Sequence, residues 1–269
     1  MKVSSKGKYY GSKHTELAHN NKVLSQYDYN SIKTTPWHYH ENPYFMFVLQ
    51  GNMLDCNKKV KSLLPAGSLM FNNWQEQHYG FRHSAEAAGF HVEVERSWFK
   101  QNEVDLTALE GSQKIDNPHI QLLISKIYFE FLISDEHSEV STDLLLLQIC
   151  DALGINKGIG NHRIPTWVVK LKEILHDDPS NITLQSLASE LGVHPVHISR
   201  AASKYLSIGL GEYIRKIKLA KAVSALLDSD MSLTEIAYHA GFSDQSNFNH
   251  IFKCYYQVTP GNFRKKVRK

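Results

Sequence analysis

The C-terminal part of the chain contains an internal repeat, and this repeat restricts the possible folds more than any other sequence feature. The segments LQSLASELGV, at 184–193, and LTEIAYHAGF, at 233–242, align at an offset of 49 residues. Two apolar positions, a small alanine and a glycine coincide: Leu184 with Leu233, Leu187 with Ile236, Ala188 with Ala237, and Gly192 with Gly241. Such self-similarity indicates two copies of one supersecondary unit.

Each copy has the pattern of a helix-turn-helix. Thr183 and Ser232 are suitable N-caps for the short amphipathic helices that follow, and a glycine suited to a left-handed turn ends each of them. A second helical segment comes next, at 195–206 in the first copy and 245–256 in the second. Two short helices joined by a turn containing glycine make a helix-turn-helix. The sequence therefore predicts such units at about 183–206 and 232–256.

Residues 212–228 lie between the copies and read as one continuous amphipathic helix. Seventeen residues span roughly 25 Å, so this helix could hold two recognition helices about one DNA turn, roughly 34 Å, apart. Four basic side chains are predicted to face solvent or phosphate: Arg215, Lys216, Lys218 and Lys221.

The charge of the chain is unevenly divided. Residues 161–269 contain 15 Lys and Arg against 9 Asp and Glu, whereas residues 1–160 contain 15 against 18. A basic C-terminal half is expected if that half meets a polyanion, although a basic surface can also serve solubility alone.

A segment rich in glycine separates two parts of the chain. GINKGIGNHRIP, at 154–165, has three glycines, one proline and no hydrophobic periodicity, which is typical of a linker. The sequence thus predicts an N-terminal domain at 1–153, a linker at 154–165 and a helical C-terminal domain at 166–269.

The N-terminal part has a mixed pattern, which predicts an α+β protein of two domains. Short segments rich in aromatic and β-branched residues indicate a small barrel or sandwich, with strands at 44–49, 58–63, 68–71 and 90–94. Helical spacing of apolar residues follows at 117–133 and 140–153, the second with Ser141 as its expected cap.

Composition excludes several classes of protein. Hydrophobic residues make up 42% and charged residues 21% of the chain, which is ordinary globular usage. No window has the roughly 18 uncharged apolar residues of a spanning helix. The first residues lack the apolar core of a secretory signal, and the three cysteines form no C-x-x-C motif. We expect a cytoplasmic protein without membrane contact.

The second repeat copy carries motifs of a known family. Ile236-Ala237 and Gly241-Phe242 are followed at characteristic spacing by other apolar and basic positions: Phe248, Phe252-Lys253, Pro260 and Phe263-Arg264. Residues 166–269 resemble the DNA-binding domain of the AraC/XylS family of bacterial transcription regulators. The first copy differs from the family pattern, because it has Ala202-Ser203 where a Phe-Lys pair is usual.

The resemblance implies two sets of contacts with double-stranded DNA. Six positions would face the bases: Val196, Ser199, Arg200, Gln245, Ser246 and His250. Four side chains would contact the backbone: Lys204, Lys218, Lys253 and Arg264. Arginine can donate two hydrogen bonds to guanine and glutamine can pair with adenine, whereas phosphate contacts position the protein without specifying sequence. The alternative for each position is an ordinary exposed side chain.

Histidines in the N-terminal part resemble the motifs of the cupin barrel. A His-x-His pair, His38 and His40, precedes the first predicted strand, and a Pro-x-Gly turn precedes His78. Cupins usually have a glutamate where this chain has Tyr44. The resemblance implies an effector pocket without a cofactor, formed by His38, His40, Tyr44, Trp74 and His78. A zinc, iron or nickel site at the three histidines is the alternative.

Three functional interpretations follow. The leading one is a non-enzymatic transcription regulator whose barrel senses a small molecule, with a sugar as one candidate. Its implied partners are promoter DNA, RNA polymerase and a second copy bound through 117–133 or 140–153, and the family favours activation. The rivals are a metal-dependent cupin dioxygenase or isomerase, and an architectural DNA binder that responds to no ligand.

Overall fold

The computed structural model describes the chain apart from residues 1, 20, 107, 108, 110, 155–164, 178, 180, 181, 207 and 269. Two β-sheets form the N-terminal part, and helices cover one sheet and make up the C-terminal part. The α+β architecture that the sequence predicts is therefore confirmed. Residues 155–164 of the predicted linker lie outside the described residues.

Eleven strands occupy the described N-terminal part. They are β1 (Lys2–Ser4), β2 (Ser12–His19), β3 (Lys22–Asp28), β4 (His38–His40), β5 (Tyr44–Gln50), β6 (Asn52–Asn57), β7 (Lys61–Pro65), β8 (Leu69–Asn72), β9 (His78–Arg82), β10 (Ala88–Val94) and β11 (Ser112–Lys114). One sheet has the order β1-β4-β9-β6-β7 and the other β11-β8-β5-β10-β3-β2. Neighbouring strands are antiparallel, except that β1 runs parallel to β4.

The two sheets face each other across a buried interior. Met53 and Leu64 from the five-stranded sheet pack there with Tyr44, Met46 and Met70 from the six-stranded sheet. Alternation along β5 directs its other residues, such as Phe45 and Phe47, to the outer face of the six-stranded sheet. One sheet thus contributes to two cores.

Three helices accompany the strands: α1 (Arg96–Gln101) lies between β10 and β11, and α2 (Pro118–Ile133) and α3 (Ser138–Ala152) follow β11. Helix α2 begins at an Asn117 cap whose side chain accepts the N–H of His119. Helix α2 is packed against α3 on one side and α7 (Leu210–Asp228) on another, so it lies in the middle of the molecule.

The C-terminal part contains the helices that the repeat predicts. They are α4 (Thr166–Asp177), α5 (Leu184–Leu191), α6 (Pro195–Tyr205), α7, α8 (Leu233–His239), α9 (Gln245–Tyr256) and α10 (Pro260–Val267). Thr183 and Ser232 cap α5 and α8 through capping boxes. Gly192 adopts φ 63° at the end of α5, and Gly241 adopts φ 86° after α8, which confirms the caps and the glycine turns.

The two helix-turn-helix units belong to different hydrophobic cores. The first unit packs around Leu187 and Ile198 with the beginning of α7, at Tyr213 and Ile217, and these residues form the small core. The second unit shares the large core with the end of α7, with α2 and with the outer face of the six-stranded sheet. The second unit and the N-terminal part are therefore joined by continuous packing.

Three details differ from the sequence-based expectations. The strand predicted at 58–63 begins at Lys61, and seven strands have no counterpart among the predicted ones: β1, β2, β3, β4, β6, β9 and β11. Ser141 is not a cap, because α3 begins at Ser138, whose hydroxyl bonds Asp135. Lys216 is 8% exposed rather than solvated, since its Nζ lies 2.8 Å from Nδ1 of His119 on α2.

Candidate functional site

Helix α9 has one buried face and one polar face. Phe248, Phe252 and Tyr256 are buried against the large core. At the N-terminus the Asp244 carboxylate accepts the backbone N–H of Asn247 at 2.8 Å, which satisfies one of the unpaired donors of the first turn. Packing and cap together fix which side of the helix faces outward.

The outward side of α9 carries the residues that the sequence assigns to DNA. Ser246, His250 and Lys253 are exposed, and Gln245 is half-buried. The Gln245 side-chain oxygen accepts a hydrogen bond from the Thr234 hydroxyl at 2.5 Å, which ties it to α8. Gln245 can still bind an adenine edge. Its side-chain oxygen keeps a second lone pair, and its amide nitrogen keeps its N–H groups.

Helix α6 has the same construction in the first unit. Pro195 occupies its first turn, and Nδ1 of His194 accepts the backbone N–H of Val196 at 3.3 Å. Ile198 faces inward with no measurable exposure, while Ser199 and Arg200 are exposed. Val196 is 47% exposed, so its methyl groups are available on the outward side of the helix.

The four residues assigned to the DNA backbone have different environments. Lys204 and Lys253 are exposed, and Lys218 is half-buried. Two guanidinium nitrogens of Arg264, Nε and one Nη, are buried without a hydrogen-bond partner among the described residues. Burial also lowers the pKa of Arg264. Arg264 is therefore the member of this set least suited to reach a phosphate.

A cavity of about 40 Å³ lies between the two sheets of the N-terminal part. Four of the five residues assigned to the effector pocket line it: His38, His40, Tyr44 and His78. Trp74 is not among the lining residues, and its ring lies under the Arg96 guanidinium at 4.1 Å instead. The volume leaves room for roughly two or three water molecules, so it is far below the roughly 300 Å³ or more of most small-molecule pockets.

The three histidines come together through strand register. His38 and His40 point inward from β4, and His38 pairs directly with His78 on β9. One ring nitrogen from each lies within 4.8 Å of the others, and all three residues are buried. Burial, with the other imidazoles adding to it, lowers the pKa of His38 to about 4 and of His40 to about 2. Burial also lowers the pKa of His78, so all three rings are neutral at pH 7.

The cavity is also lined by polar groups that the sequence analysis does not identify. Asp55 is 5% exposed, and burial raises the pKa of its carboxyl to about 7. His91 is 1% exposed, and its Nε2 lies 2.8 Å from the Tyr29 hydroxyl. The alternation of HVEVER on β10 was the available signal for His91, because it places His91 and Glu93 on the same side of the strand.

Contacts between α2 and the last two helices connect the N-terminal part to the second helix-turn-helix unit. The hydroxyl groups of Ser125 and Tyr256 are hydrogen-bonded, and the rings of Phe129 and Phe263 are stacked with centroids 5.2 Å apart. The Lys126 ammonium lies 3.9 Å from the centre of the Tyr255 ring. These contacts are buried or half-buried, so α9 is held in place by α2.

Among the helices of the described residues, none combines the length and apolar character needed to cross a bilayer.

Two helix-turn-helix units with exposed polar faces, joined by a 19-residue helix, define this protein as a DNA-binding transcription regulator. Residues 187–266 match the family model described as "Helix-turn-helix domain". The chain is 37% identical over 83 residues to the probable transcription factor PqrA of Proteus vulgaris, covering 31% of this chain and 68% of that protein. The chain belongs to the AraC/XylS family of helix-turn-helix regulators.

Other relatives share a smaller part of their length with this chain. The regulatory protein PocR of Salmonella typhimurium is 33% identical over 93 residues, which cover 35% of this chain and 30% of PocR. The transcriptional activator AarP of Providencia stuartii is 28% identical over 85 residues, which cover 32% of this chain and 63% of AarP. PocR is described as a regulatory protein and AarP as a transcriptional activator of the helix-turn-helix type.

Similar structures are also known. Apo ToxT from Vibrio cholerae, at 14% identity, aligns over 93% of this chain and 98% of that chain with a TM-score of 0.43. The C-terminal domain of the response regulator AraT from Geobacillus stearothermophilus, at 30% identity, aligns over 38% of this chain and 87% of that chain with a TM-score of 0.37.

Proposed function

We propose that this regulator reads two successive major-groove segments of a promoter with a single chain. The proposal rests on a feature that α6 and α9 share. Each helix has one buried face and one exposed polar face, and the two helices pack near opposite ends of α7. Helix α7 has 19 residues and is therefore roughly 28 Å long, close to the roughly 34 Å of one DNA turn.

Six residues form the proposed base-reading set: Val196, Ser199, Arg200, Gln245, Ser246 and His250. Arg200 donates two hydrogen bonds to guanine, and Gln245 binds adenine. The exposed methyl groups of Val196 contact a thymine methyl. Lys204, Lys218 and Lys253 bind phosphates, and Arg264 joins them only if its buried guanidinium turns outward.

The proposed domains have the boundaries that the sequence analysis predicts. Residues 1–153 form the effector domain, 154–165 the linker and 166–269 the DNA-binding domain. The effector binds in the cavity between the two sheets, where both ring nitrogens of His40 and Oδ1 of Asp55 have no hydrogen-bond partner among the described residues. A sugar is one candidate effector and requires the cavity to open, whereas a metal ion at the three histidines is the second.

Effector control requires that the effector bind one arrangement of the molecule more tightly than another. The packed contact between α2 and α9 is a direct route for this control, because it joins the barrel to the second recognition helix. The linker is the route that the sequence alone suggests.

The protein acts in the cytoplasm as a homodimer, recruits RNA polymerase and activates transcription. The exposed apolar side chains on α3, Val140 at 63% and Leu144 at 56%, support dimerisation through this helix. Helix α2 is the less suitable of the two expected dimer helices, because α3 and α7 already cover it. Regulation, and not catalysis, is the proposed activity.

Titration of the full chain on DNA from upstream of its own gene tests this function. We expect tight binding to one fragment, with weaker and strongly salt-dependent binding to unrelated fragments. Arg200→Ala and His250→Ala should each weaken binding to the specific fragment by about 1–3 kcal/mol. The exposed residue Lys265 offers a control variant, Lys265→Ala, that should preserve the difference between fragments. Equal binding to all fragments by all variants would refute sequence reading.

A further inference from the structure

A second cavity, of about 420 Å³, lies between the N-terminal part and the C-terminal helices. One side is formed by Gln26, Asp28 and Gln50, at the ends of β3 and β5. The other side is formed by residues 227–230, where α7 ends, and by the end of α10. Small-molecule pockets usually have a volume of roughly 300–1,000 Å³, so this cavity can hold an organic ligand without opening.

The floor of this cavity is apolar. Leu49, Ala88 and Leu227 line it and are buried, as is the aromatic ring of Tyr128. The Tyr128 hydroxyl already donates to the side-chain oxygen of Gln26, at 3.2 Å. An occupant therefore meets hydrocarbon and aromatic surface at the floor, which favours contact with methylene groups over contact with water.

The charged groups of the cavity are unbalanced. Three carboxylates line it, those of Asp28, Asp228 and Asp230, against the single guanidinium of Arg268. Nη1 of Arg268 lies 3.3 Å from Oδ1 of Asp230, and its Nε donates to the Leu226 carbonyl oxygen at 2.9 Å. Asp230 thus has a cation of its own, whereas neither Asp28 nor Asp228 forms a salt bridge with the described residues.

The two unbalanced carboxylates belong to different parts of the molecule. Asp28 is the last residue of β3 and Asp228 the last of α7. Oδ2 of Asp228 accepts the backbone N–H of Gly51 at 2.9 Å, where the two parts meet. The Asp28 carboxylate is half-buried and accepts no hydrogen bond from the described residues. Like charges that face one cavity from both sides repel each other, and a cation between them replaces this repulsion with attraction.

We infer that this cavity binds a small alkyl diamine, in addition to the effector in the cavity between the two sheets. The methylene chain lies on the apolar floor, and the two ammonium groups donate to the carboxylates of Asp28 and Asp228. The binding site stands on the cavity itself, whereas its consequence for DNA binding rests on the proposed function.

A ligand held by both sides of the cavity favours the arrangement in which the second helix-turn-helix unit is docked on the N-terminal part. Residues 229–232 connect Asp228 to α8, the first helix of that unit. In the docked arrangement α9 keeps Ser246, His250 and Lys253 exposed. The diamine should therefore increase the affinity for the promoter fragment, by at least about fivefold.

Calorimetric titration of the full chain with diaminobutane, at about 0.15 M salt to screen weak surface binding, tests the site. We expect one diamine per chain and a rise in Tm. Asp28→Asn and Asp228→Asn should each weaken binding at least about tenfold, because each removes a charge-assisted hydrogen bond. Both variants should stay folded, since Asp28 has no partner to lose and an asparagine oxygen at 228 still accepts the Gly51 N–H.

Two matched controls accompany this titration. Butanediol has the same carbon chain without charge and should not bind. Glu136→Gln removes an exposed carboxylate between α2 and α3, outside the cavity, and should bind diaminobutane like the wild type.

The possible outcomes separate the site from the function. A folded wild-type chain that does not bind diaminobutane would overturn the inference. Equal affinity for butanediol, or displacement of the diamine by magnesium chloride with the same rise in Tm, would also overturn it. One diamine per chain with an unchanged affinity for the promoter fragment would establish the site and overturn its effect on DNA binding. One diamine per chain in a protein that binds no DNA would overturn the proposed function and leave the site in place.

Discussion

The hydroxyl oxygens of Ser125 and Tyr256 lie 2.6 Å apart in the buried contact between α2 and α9. Ser125 also bonds the Leu122 carbonyl oxygen on its own helix at 2.8 Å, so the Tyr256 hydroxyl donates to the Ser125 oxygen. This hydrogen bond joins the N-terminal part directly to the second recognition helix, across 131 residues of sequence.

We expect Ser125→Ala to destabilise the protein by about 1–3 kcal/mol, because it leaves the Tyr256 hydroxyl buried without its partner. Tyr256→Phe should cost less, since the Ser125 hydroxyl keeps its bond to Leu122. Adding Tyr256→Phe to Ser125→Ala should restore part of the lost stability. Urea unfolding of the three variants measures these differences, and additive losses would show that the two hydroxyls are not coupled.

The separation of the two cores predicts that the helix-turn-helix units open independently. Leu187→Ala should speed amide hydrogen exchange in α4–α6, because a cavity in the small core costs about 2–5 kcal/mol. Phe263→Ala is the matched change in the large core and should speed exchange in α9, α10 and α2 together. Faster exchange in α9 after Leu187→Ala would contradict the division into two cores.

The contact between Lys216 and His119 predicts a loss of stability in mild acid. Burial, reinforced by the Lys216 charge, lowers the pKa of His119 to about 4, although the nearby Glu212 opposes this shift and Lys126 adds to it. The unfolded chain therefore binds a proton between about pH 6.5 and 4 that the folded chain does not, so stability falls as pH decreases through this window.

His119→Gln should reduce the pH dependence of stability between pH 6.5 and 4, because it removes one such proton. Denaturant unfolding at a series of pH values measures the slope. His14→Gln changes an exposed histidine on β2 that is paired with no acidic group in the described residues, and it is the matched control, which should leave the slope unchanged. A slope equal to that of the wild type in His119→Gln would mean that other groups take up the proton.

The exposed apolar residues of α3 allow the proposed dimer interface to be tested by mutation. Val140 and Leu144 are mostly exposed, so replacing both with lysine should separate the dimer at little cost to the fold. Sedimentation velocity should show a dimer for the wild type and a monomer for the double variant, with the same thermal transition at high dilution. A dimer that survives both changes would place the interface elsewhere.

Local signals in the sequence account well for the C-terminal half and less well for the barrel. Caps such as Thr183 and turns such as Gly192 act within a few residues, so the sequence pattern is enough to place them. Strand β2 is almost entirely exposed and therefore lacks the alternation that identifies a half-buried strand. Burial of Lys216 depends on His119, which lies 97 residues away, and no local pattern can contain such a contact.

The same distinction applies to the candidate sites. The repeat places Arg200 and His250 at matching positions of two helices, and both are exposed. In the barrel the histidine motifs are sufficient to find His38, His40 and His78. Trp74 shares their aromatic neighbourhood in sequence but not their cavity, because the direction of a loop side chain depends on tertiary contacts.

Hydroxyl-radical and methylation footprinting on the promoter fragment shows whether a chain reads DNA with both recognition helices. Each chain that reads DNA with both α6 and α9 should protect a pair of major-groove segments about one helical turn, roughly 10 base pairs, apart on the same face, and a dimer should protect two such pairs. Arg200→Ala should remove protection from one segment of each pair and His250→Ala from the other. A single protected segment, lost in His250→Ala and unchanged in Arg200→Ala, would contradict reading by both units.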